Sequence, residues 1–163
     1  ILPRELDLPG LDDSKKLTPK KREQLYEQIT DRATAWAVAR VEPEEIDATD
    51  ILSARMNAMQ RAMDALPVQP DFALIDGNRD RGRHGAITTP HAMLVKGDSL
   101  SSSIAAASIL AKVSRDRYME EMAERYPHYE FETHKGYPTK RHYELLRQFG
   151  PCPIHRRSFL KKL

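Results

Sequence analysis

The sequence predicts an α/β layered domain, and three observations carry that reading. Two short, nearly all-apolar runs each close in a Gly- and Asp-containing turn, as buried strands do. The segments around them show apolar residues at steps of three and four, the helical period. Proline and glycine punctuate the boundaries between the two kinds of run. A chain of 163 residues is expected to form one domain over residues 1–163, long enough to bury a real core.

The elements follow in order. Residues 3–17 read as a loop, with Pro3, Pro9-Gly10 and Asp12-Asp13 as turn signals. Thr18 then Pro19 is an N-cap followed by a first-turn proline, which opens a helix to about Ala33. Thr34 to Val41 sets Trp36 and Val38 in alternation with small alanines and predicts a strand. Pro43 starts a second helix whose stripe of Ile46, Leu52, Met56, Met59, Met63 and Leu66 is expected to be core. Pro67 and Pro70 end it, and Phe72 to Asp76 is the first buried strand, closed by Gly77-Asn78. A basic loop leads to a second buried strand, His91 to Lys96, closed by Gly97-Asp98-Ser99. Residues 102–125 predict a long helix whose small side chains Ala105, Ala106, Ala107 and Ser108 suit close packing on a sheet. Tyr126 to Pro138 reads as irregular. Thr139 caps a last helix to Phe149, with Gly150 at its C′ position and Pro151 beyond.

Apolar residues make up 40% and charged residues 31% of the chain, the balance of a soluble globular domain. No apolar run is long enough to cross a bilayer. Cys152 is the single cysteine, so an internal disulfide is excluded and a reducing cytoplasm is the expected setting. The net charge of +2 is small, but its distribution is uneven. Cations cluster at Lys15-Lys16, Lys20-Lys21-Arg22, Arg79 to Arg83, His134-Lys135, Lys140-Arg141-His142 and His155-Arg156-Arg157. Acids gather between Glu42 and Asp50 and between Glu120 and Glu124. This asymmetry suits a protein with one phosphate-facing side, although each cluster alone could equally be a solvated helix face.

The candidate chemistry sits at the strand ends, where ligands bind in open α/β sheets. Asp76 and Asp98 each follow a strand, and two carboxylates delivered there repel unless a cation lies between them. Oxygen-only ligands favour magnesium or manganese over zinc. The competing reading is that each aspartate is a turn former or helix cap. His134 to Thr139 sets a cation, a glycine and Tyr137 in one loop, which could stack on a sugar or base and hold a phosphate. Tyr137 could as well be a core aromatic ahead of the helix. Asp12 to Leu17 offers the Ser14 hydroxyl and the Lys15 and Lys16 ammonium groups to phosphate oxygens, or a simply solvated lysine pair.

Read in order, seven segments resemble the successive motifs of bacterial ribonuclease HII. They are Asp13 to Leu17, Ile75 to Asn78, Lys96 to Ser99, Ser103 to Val113, Arg115-Asp116, His134 to Thr139 and His155 to Phe159. The resemblance spans nearly the whole chain. It implies a ribonuclease H-like fold, a mixed sheet flanked by helices, with four active-site carboxylates and two divalent metals, Mn2+ or Mg2+. The implied reaction is hydrolysis on the 5′ side of a ribonucleotide in an RNA–DNA hybrid or in duplex DNA, by a protein expected to act as a monomer without a membrane. Asp76 corresponds to the third carboxylate and Asp98 to the fourth, both catalytic metal ligands. Tyr137 matches the tyrosine at the ribose of an RNA–DNA junction, while Ser14, Lys15, Lys16, Lys135 and Arg156 lie along the backbone path. Asp116 is expected to anchor its helix.

The family's first strand carries an Asp-Glu pair followed by a Gly-Arg-Gly element, and neither motif occurs in this sequence. Ile1-Leu2 is accordingly expected to end the second strand, with the first strand and most of the second missing. On that expectation the 163 residues alone are inactive and unstable. A non-catalytic nucleic-acid-binding remnant is the alternative, and an unrelated α/β domain with structural aspartates is a third class.

Overall fold

The fold was analysed in a computed structural model, which describes residues 1–160. Its helices are α1 (Pro19–Arg32), α2 (Pro43–Ala48), α3 (Ile51–Asp64), α4 (Ser102–Arg125), the single turn α5 (Phe131–His134) and α6 (Lys140–Phe149). Two strands, β1 (Ala73–Asp76) and β2 (His91–Leu94), pair in parallel with Ala73 opposite His91 and Asp76 opposite Leu94. An isolated antiparallel bridge joins Arg81 to Ala86 in the loop between them.

The expected helix ends are met by their caps. Thr18 Oγ1 accepts from Lys21 N–H at 3.2 Å, Ser101 caps α4, and Thr139 Oγ1 accepts from His142 N–H at 3.2 Å. Gly150 follows α6 with φ +73°, a left-handed value that a residue with a Cβ adopts only under strain.

Three expectations need correction. The helix foreseen from Pro43 is two helices, because Thr49 leaves helical geometry and Asp50 starts afresh as an N-cap. Its carboxylate accepts from Ser53 N–H (2.8 Å) and Ser53 Oγ (2.6 Å), and this cap lies in the gap between Ile46 and Leu52. Residues 34–41 keep a burial period of two, with Ala35 buried while Trp36 and Val38 are exposed, but form no strand. Among the described residues their backbone pairs only with Ile1, and a strand needs a ladder along its length. The two real strands are also less buried than their apolar runs suggest. Ile75 is covered, but Phe72, Leu74 and Val95 are 56%, 43% and 64% exposed, since helices cover one face only.

Helix α4 runs through the centre. Ile109, fully buried, joins Ala106, Leu110 and Val113 against Leu25 and Ile29 of α1 and Leu8 of the first loop. Further along, Met119 and Met122 meet Tyr129, Phe131, Leu145 and Leu146. A third cluster sets Met56 of α3 on Ile75 and Ile87, with Leu52, Met59 and Met63 of the foreseen stripe partly buried beside them.

Three histidines lie inside the second cluster. His134, His142 and His155 are 6–8% exposed, and His134 stacks on His142 with ring centroids 4.2 Å apart. Gly136 N–H donates to His134 Nδ1 (3.1 Å), so His134 carries its proton on Nε2 and donates to the Tyr129 carbonyl (2.6 Å). His142 donates from Nδ1 to the Tyr137 carbonyl (2.9 Å). Cys152 N–H donates to His155 Nδ1 (3.0 Å), leaving the His155 Nε2–H for His142 Nε2, 3.0 Å away. With His142 neutral, the Nε2–Nε2 contact takes its proton from His155, whose Nδ1 also lies 3.1 Å from Cys152 Sγ and 3.3 Å from the Cys152 carbonyl. The sequence reading counted these histidines among the surface cations. Burial, with the charge of His142 next, pushes the pKa of His155 down from 6.5 to about 4, and burial lowers that of His142 as well.

Two outcomes follow. Ile109→Ala should cost about 2–5 kcal/mol in urea unfolding, whereas Leu100→Ala, at a 71% exposed position, should stay within about 0.5 kcal/mol. Between pH 6.5 and about 4 the unfolded chain takes up a proton that folded His155 refuses. The contribution of His155 to stability is therefore full above that window, falls by about 3 kcal/mol as pH drops through it, and is gone below. Unfolding curves at stepped pH should show this slope, and His155→Gln should flatten it.

Candidate active site

The two expected metal ligands lie at neighbouring strand ends. Gly77 N–H donates to the Leu94 carbonyl (2.9 Å), closing the ladder just past Asp76. Beyond β2, Lys96 takes a left-handed conformation (φ 57°) and turns the chain into a 3₁₀ turn, Gly97–Ser99. Gly97 N–H then donates to Asp76 Oδ1 at 2.9 Å. The end of β1 is thus tied to the residue before Asp98. A Cβ on Gly97 would fall 2.5 Å from Ile104 Cδ1 and 3.2 Å from Leu94 Cβ, so glycine lets the turn close onto α4. Asp76 is exposed and Asp98 half-buried.

Asp98 faces the first loop across a cleft of about 280 Å³ lined by Asp7, Asp12, Asp98, Ser101 and Ala105. Lys16 Nζ contacts Asp12 Oδ1 at 3.1 Å. That hydrogen bond, then the Asp12 charge, raises the Lys16 pKa, and Asp13 and Asp98 add to it. Asp12 is held below the usual carboxylate range by Asp13 N–H and then Lys16. Lys15 is exposed, while Ser14 is only 7% exposed. The loop is held from beneath by Arg22 of α1, whose Nη1 donates to the Ser14 (3.0 Å) and Leu17 (2.6 Å) carbonyls. Arg22 also lies 3.9 Å from Asp116, which is ion-paired with Lys112. Asp116 therefore ties α4 to α1 and to the lysine loop.

Tyr137 is 58% exposed, so it is not a core residue. Its ring lies 5.9 Å from Lys112 Nζ, and Arg115 Nη2 donates to the Lys135 carbonyl at 3.5 Å. The Lys135 ammonium binds Glu120 at 2.6 Å. Arg156 stacks over Phe159 at 4.1 Å, and its turn is pinned by Asp47, which accepts from Arg157 N–H (2.7 Å), Ser158 N–H (3.0 Å) and the Ser158 hydroxyl. Burial, and then the charge of Arg115, lowers the Arg156 pKa.

The structure thus joins Asp76 to the Asp98 turn, and Lys16 to the Asp98 cleft. It turns Ser14 inward and pairs Lys135 with an acid. Arg22, Asp47 and Lys112 were given no role of their own from sequence, and Arg115 entered only within the Arg115-Asp116 motif, because Asp116, Ser158, Tyr137 and the Lys135 carbonyl that they meet lie far along the chain. Asp76 and Asp98 offer hard oxygen donors only. Among the described residues no three His, Cys, Asp or Glu side chains gather closely enough to hold a metal. One or two carboxylates nevertheless match the sparse protein ligand set of magnesium, which water and phosphate oxygens complete.

Comparisons with known proteins agree with the motifs. The family model for ribonuclease HII matches residues 3–162. A ribonuclease HII from Idiomarina loihiensis is 52% identical over 159 residues, covering 98% of this chain and 83% of that protein. The crystal structure of the ribonuclease H2 from Pyrococcus horikoshii OT3 superposes with a TM-score of 0.73 at 30% identity, over 91% of this chain and 76% of that one. With the ordered motifs, the α/β fold and these matches together, the chain belongs to the ribonuclease HII family.

Proposed function

We propose that this chain serves the hydrolysis of the RNA strand in RNA–DNA hybrids, including single ribonucleotides in duplex DNA, with Asp76 and Asp98 as two of the metal ligands. The observation that carries the reading is the stripe along α4. Ala105 lines the Asp98 cleft and Lys112 lies beside Tyr137. They are seven residues apart, two helical turns, which puts them on the same side of α4 with roughly 10 Å between them. That is the scale of a few nucleotides. A duplex bridging the Asp98 cleft and the Tyr137 loop would meet the carboxylates with its scissile phosphate and the exposed Tyr137 ring with a nearby sugar.

The chain's own groups divide the work. Asp76 and Asp98 hold Mg2+ or Mn2+, with the Gly97 N–H fixing Asp76 so that its second oxygen is left for a ligand. When bound, the metals neutralise charge at the phosphate and activate the attacking water. Lys15, Lys16 and Arg156 neutralise the backbone. The Lys16–Asp12 contact is an exposed pair of little worth, so exchanging it for a phosphate costs little. Ser14 and Lys135 support this surface, one under the lysine loop and one beside Tyr137. No helix among the described residues is long and apolar enough to cross a membrane. We take the protein to act as a monomer in the cytoplasm, where the lone, half-buried Cys152 thiol stays reduced.

On the family's pattern the reaction also uses an Asp-Glu pair and a Gly-Arg-Gly element, so the cleavage assay is run with a chain that carries them. Its substrate is a duplex with one embedded ribonucleotide, with and without chelator. Asp76→Asn should abolish cleavage and weaken Mn2+ binding with the fold intact, because an amide is a poor substitute for an anionic ligand. Near wild-type cleavage by Asp76→Asn would sink the assignment. Tyr137→Ala should lose roughly 1–3 kcal/mol, more on the single ribonucleotide than on a long hybrid where other cuts remain open. Wild-type rates on both substrates would remove Tyr137 from the site.

A further inference from the structure

The loop presenting Tyr137 is tied to α4 through Lys135 and to the histidine core through its own backbone. Lys135 and Gly136 are both left-handed, with φ 49° and 77°, so the chain reverses sharply before the tyrosine. Behind the exposed ring, the backbone polar groups run into the imidazoles. Gly136 N–H meets His134 Nδ1, and Tyr137 N–H donates to the His134 carbonyl at 2.8 Å. The Tyr137 carbonyl accepts from both Thr139 N–H (2.8 Å) and His142 Nδ1–H (2.9 Å). A neutral His142 makes that donation as its Nδ1–H tautomer. On the other side of the ring His142 Nε2 faces His155 Nε2 at 3.0 Å, and a proton held there by His155 favours this tautomer. His155 Nδ1 is seated against Cys152, 3.0 Å from its N–H, 3.1 Å from Sγ and 3.3 Å from its carbonyl.

We infer that His142, with His155 behind it, is a positioning residue that fixes the Tyr137 backbone and so sets where the tyrosine ring meets the sugar. The inference rests on the reading of Tyr137 as a nucleic-acid contact. It adds that a buried relay from Cys152 through two histidines determines how sharply that contact discriminates. Neither histidine touches the nucleic acid. Both act through one carbonyl.

Substitutions at His142 separate this role from core filling. Asn places an N–H donor near the position of Nδ1 and lacks the outer nitrogen. Gln reaches the position of Nε2 but has no donor next to the Tyr137 carbonyl. The test reads two things on variants that melt cooperatively. The first is the ratio of affinities, by fluorescence anisotropy in chelator, for a duplex with one ribonucleotide over an all-DNA duplex. The second is the order of the Gly136–Thr139 amides, by 15N relaxation without nucleic acid. His142→Gln should loosen those amides and cut the ratio roughly threefold to tenfold, the effect of one hydrogen bond. His142→Asn should restore both, and Tyr137→Ala combined with His142→Gln should lose no more than Tyr137→Ala alone. If His142→Gln does not fold, His155→Leu, which frees the His142 tautomer, takes its place with the same expected direction. Ordered amides in His142→Gln, or equal loss in the Asn and Gln variants, would overturn the positioning role. If Tyr137→Ala leaves the ratio unchanged, the nucleic-acid reading of Tyr137 fails, and the amide order alone then decides whether His142 holds the loop.

Discussion

The burial of α4 is the constraint on which the rest of the molecule depends. Its 24 residues serve two separate cores, Ile109 and Val113 against α1 at one end and Met119 and Met122 against Phe131 at the other. Ala105, Lys112 and Asp116 share one side of the helix with the buried Ile109, so the cleft, the tyrosine and the Arg22 tie lie along the seam where α4 packs on α1. The small residues have a matching effect. Ala105 and Ala106 are 3% exposed, and bulkier side chains there would push the Gly97 turn and α1 away from the helix.

Charge in this chain is arranged more by pairing than by excess. Arg117 meets Glu23, Arg141 meets Glu130, and Lys135 meets Glu120, so several sequence clusters of cations lie next to acids on other elements. His134, His142 and His155 lie in the core rather than on the surface. On the proposed function the cations that would meet a polyanion are Lys15, the exchangeable Lys16, Arg115 near the Tyr137 loop and Arg156, while Lys112 is already paired with Asp116. Exposed ion pairs are weak, and the phosphate of a duplex is a stronger partner than a mobile carboxylate. On the proposed function, association through such pairs would be salt-sensitive and modest, and selectivity would come from the position of Tyr137 rather than from a net charge of +2.

How far the sequence could be read depended on how local each signal was. Thr18-Pro19, Thr139 and Gly150 act on N–H or C=O groups within a few residues, and the helices they bound lie where the sequence placed them. Asp76 and Asp98 were legible as strand-end aspartates, although the bond that joins their turns was not. The strand at 34–41 failed because a strand is a relation between two segments, and alternation in one of them cannot supply the other. Asp50 was hidden in the one gap of the apolar stripe, the six-residue step from Ile46 to Leu52, where the stripe resumes after a new N-cap. The histidine network was the deepest omission. His134, His142 and His155 sit beside lysines and arginines in the chain, and only the fold turns the three rings inward while their neighbours face water.

The site's geometry is less robust than its motifs suggest. Two four-residue strands make a marginal sheet by themselves, so β1 and β2 cannot hold Asp76 and Asp98 in place through their ladder alone. The strands are held on one face by Met56 and Ile87 around Ile75, and at their end by Gly97 packed on Ile104. The Asp76–Gly97 hydrogen bond then converts that packing into a position for a carboxylate. On the proposed function that bond would use one lone-pair direction of Asp76 and orient the other oxygen toward a cation. Such an arrangement would suit a small, hard ion that takes few protein ligands and keeps its own water.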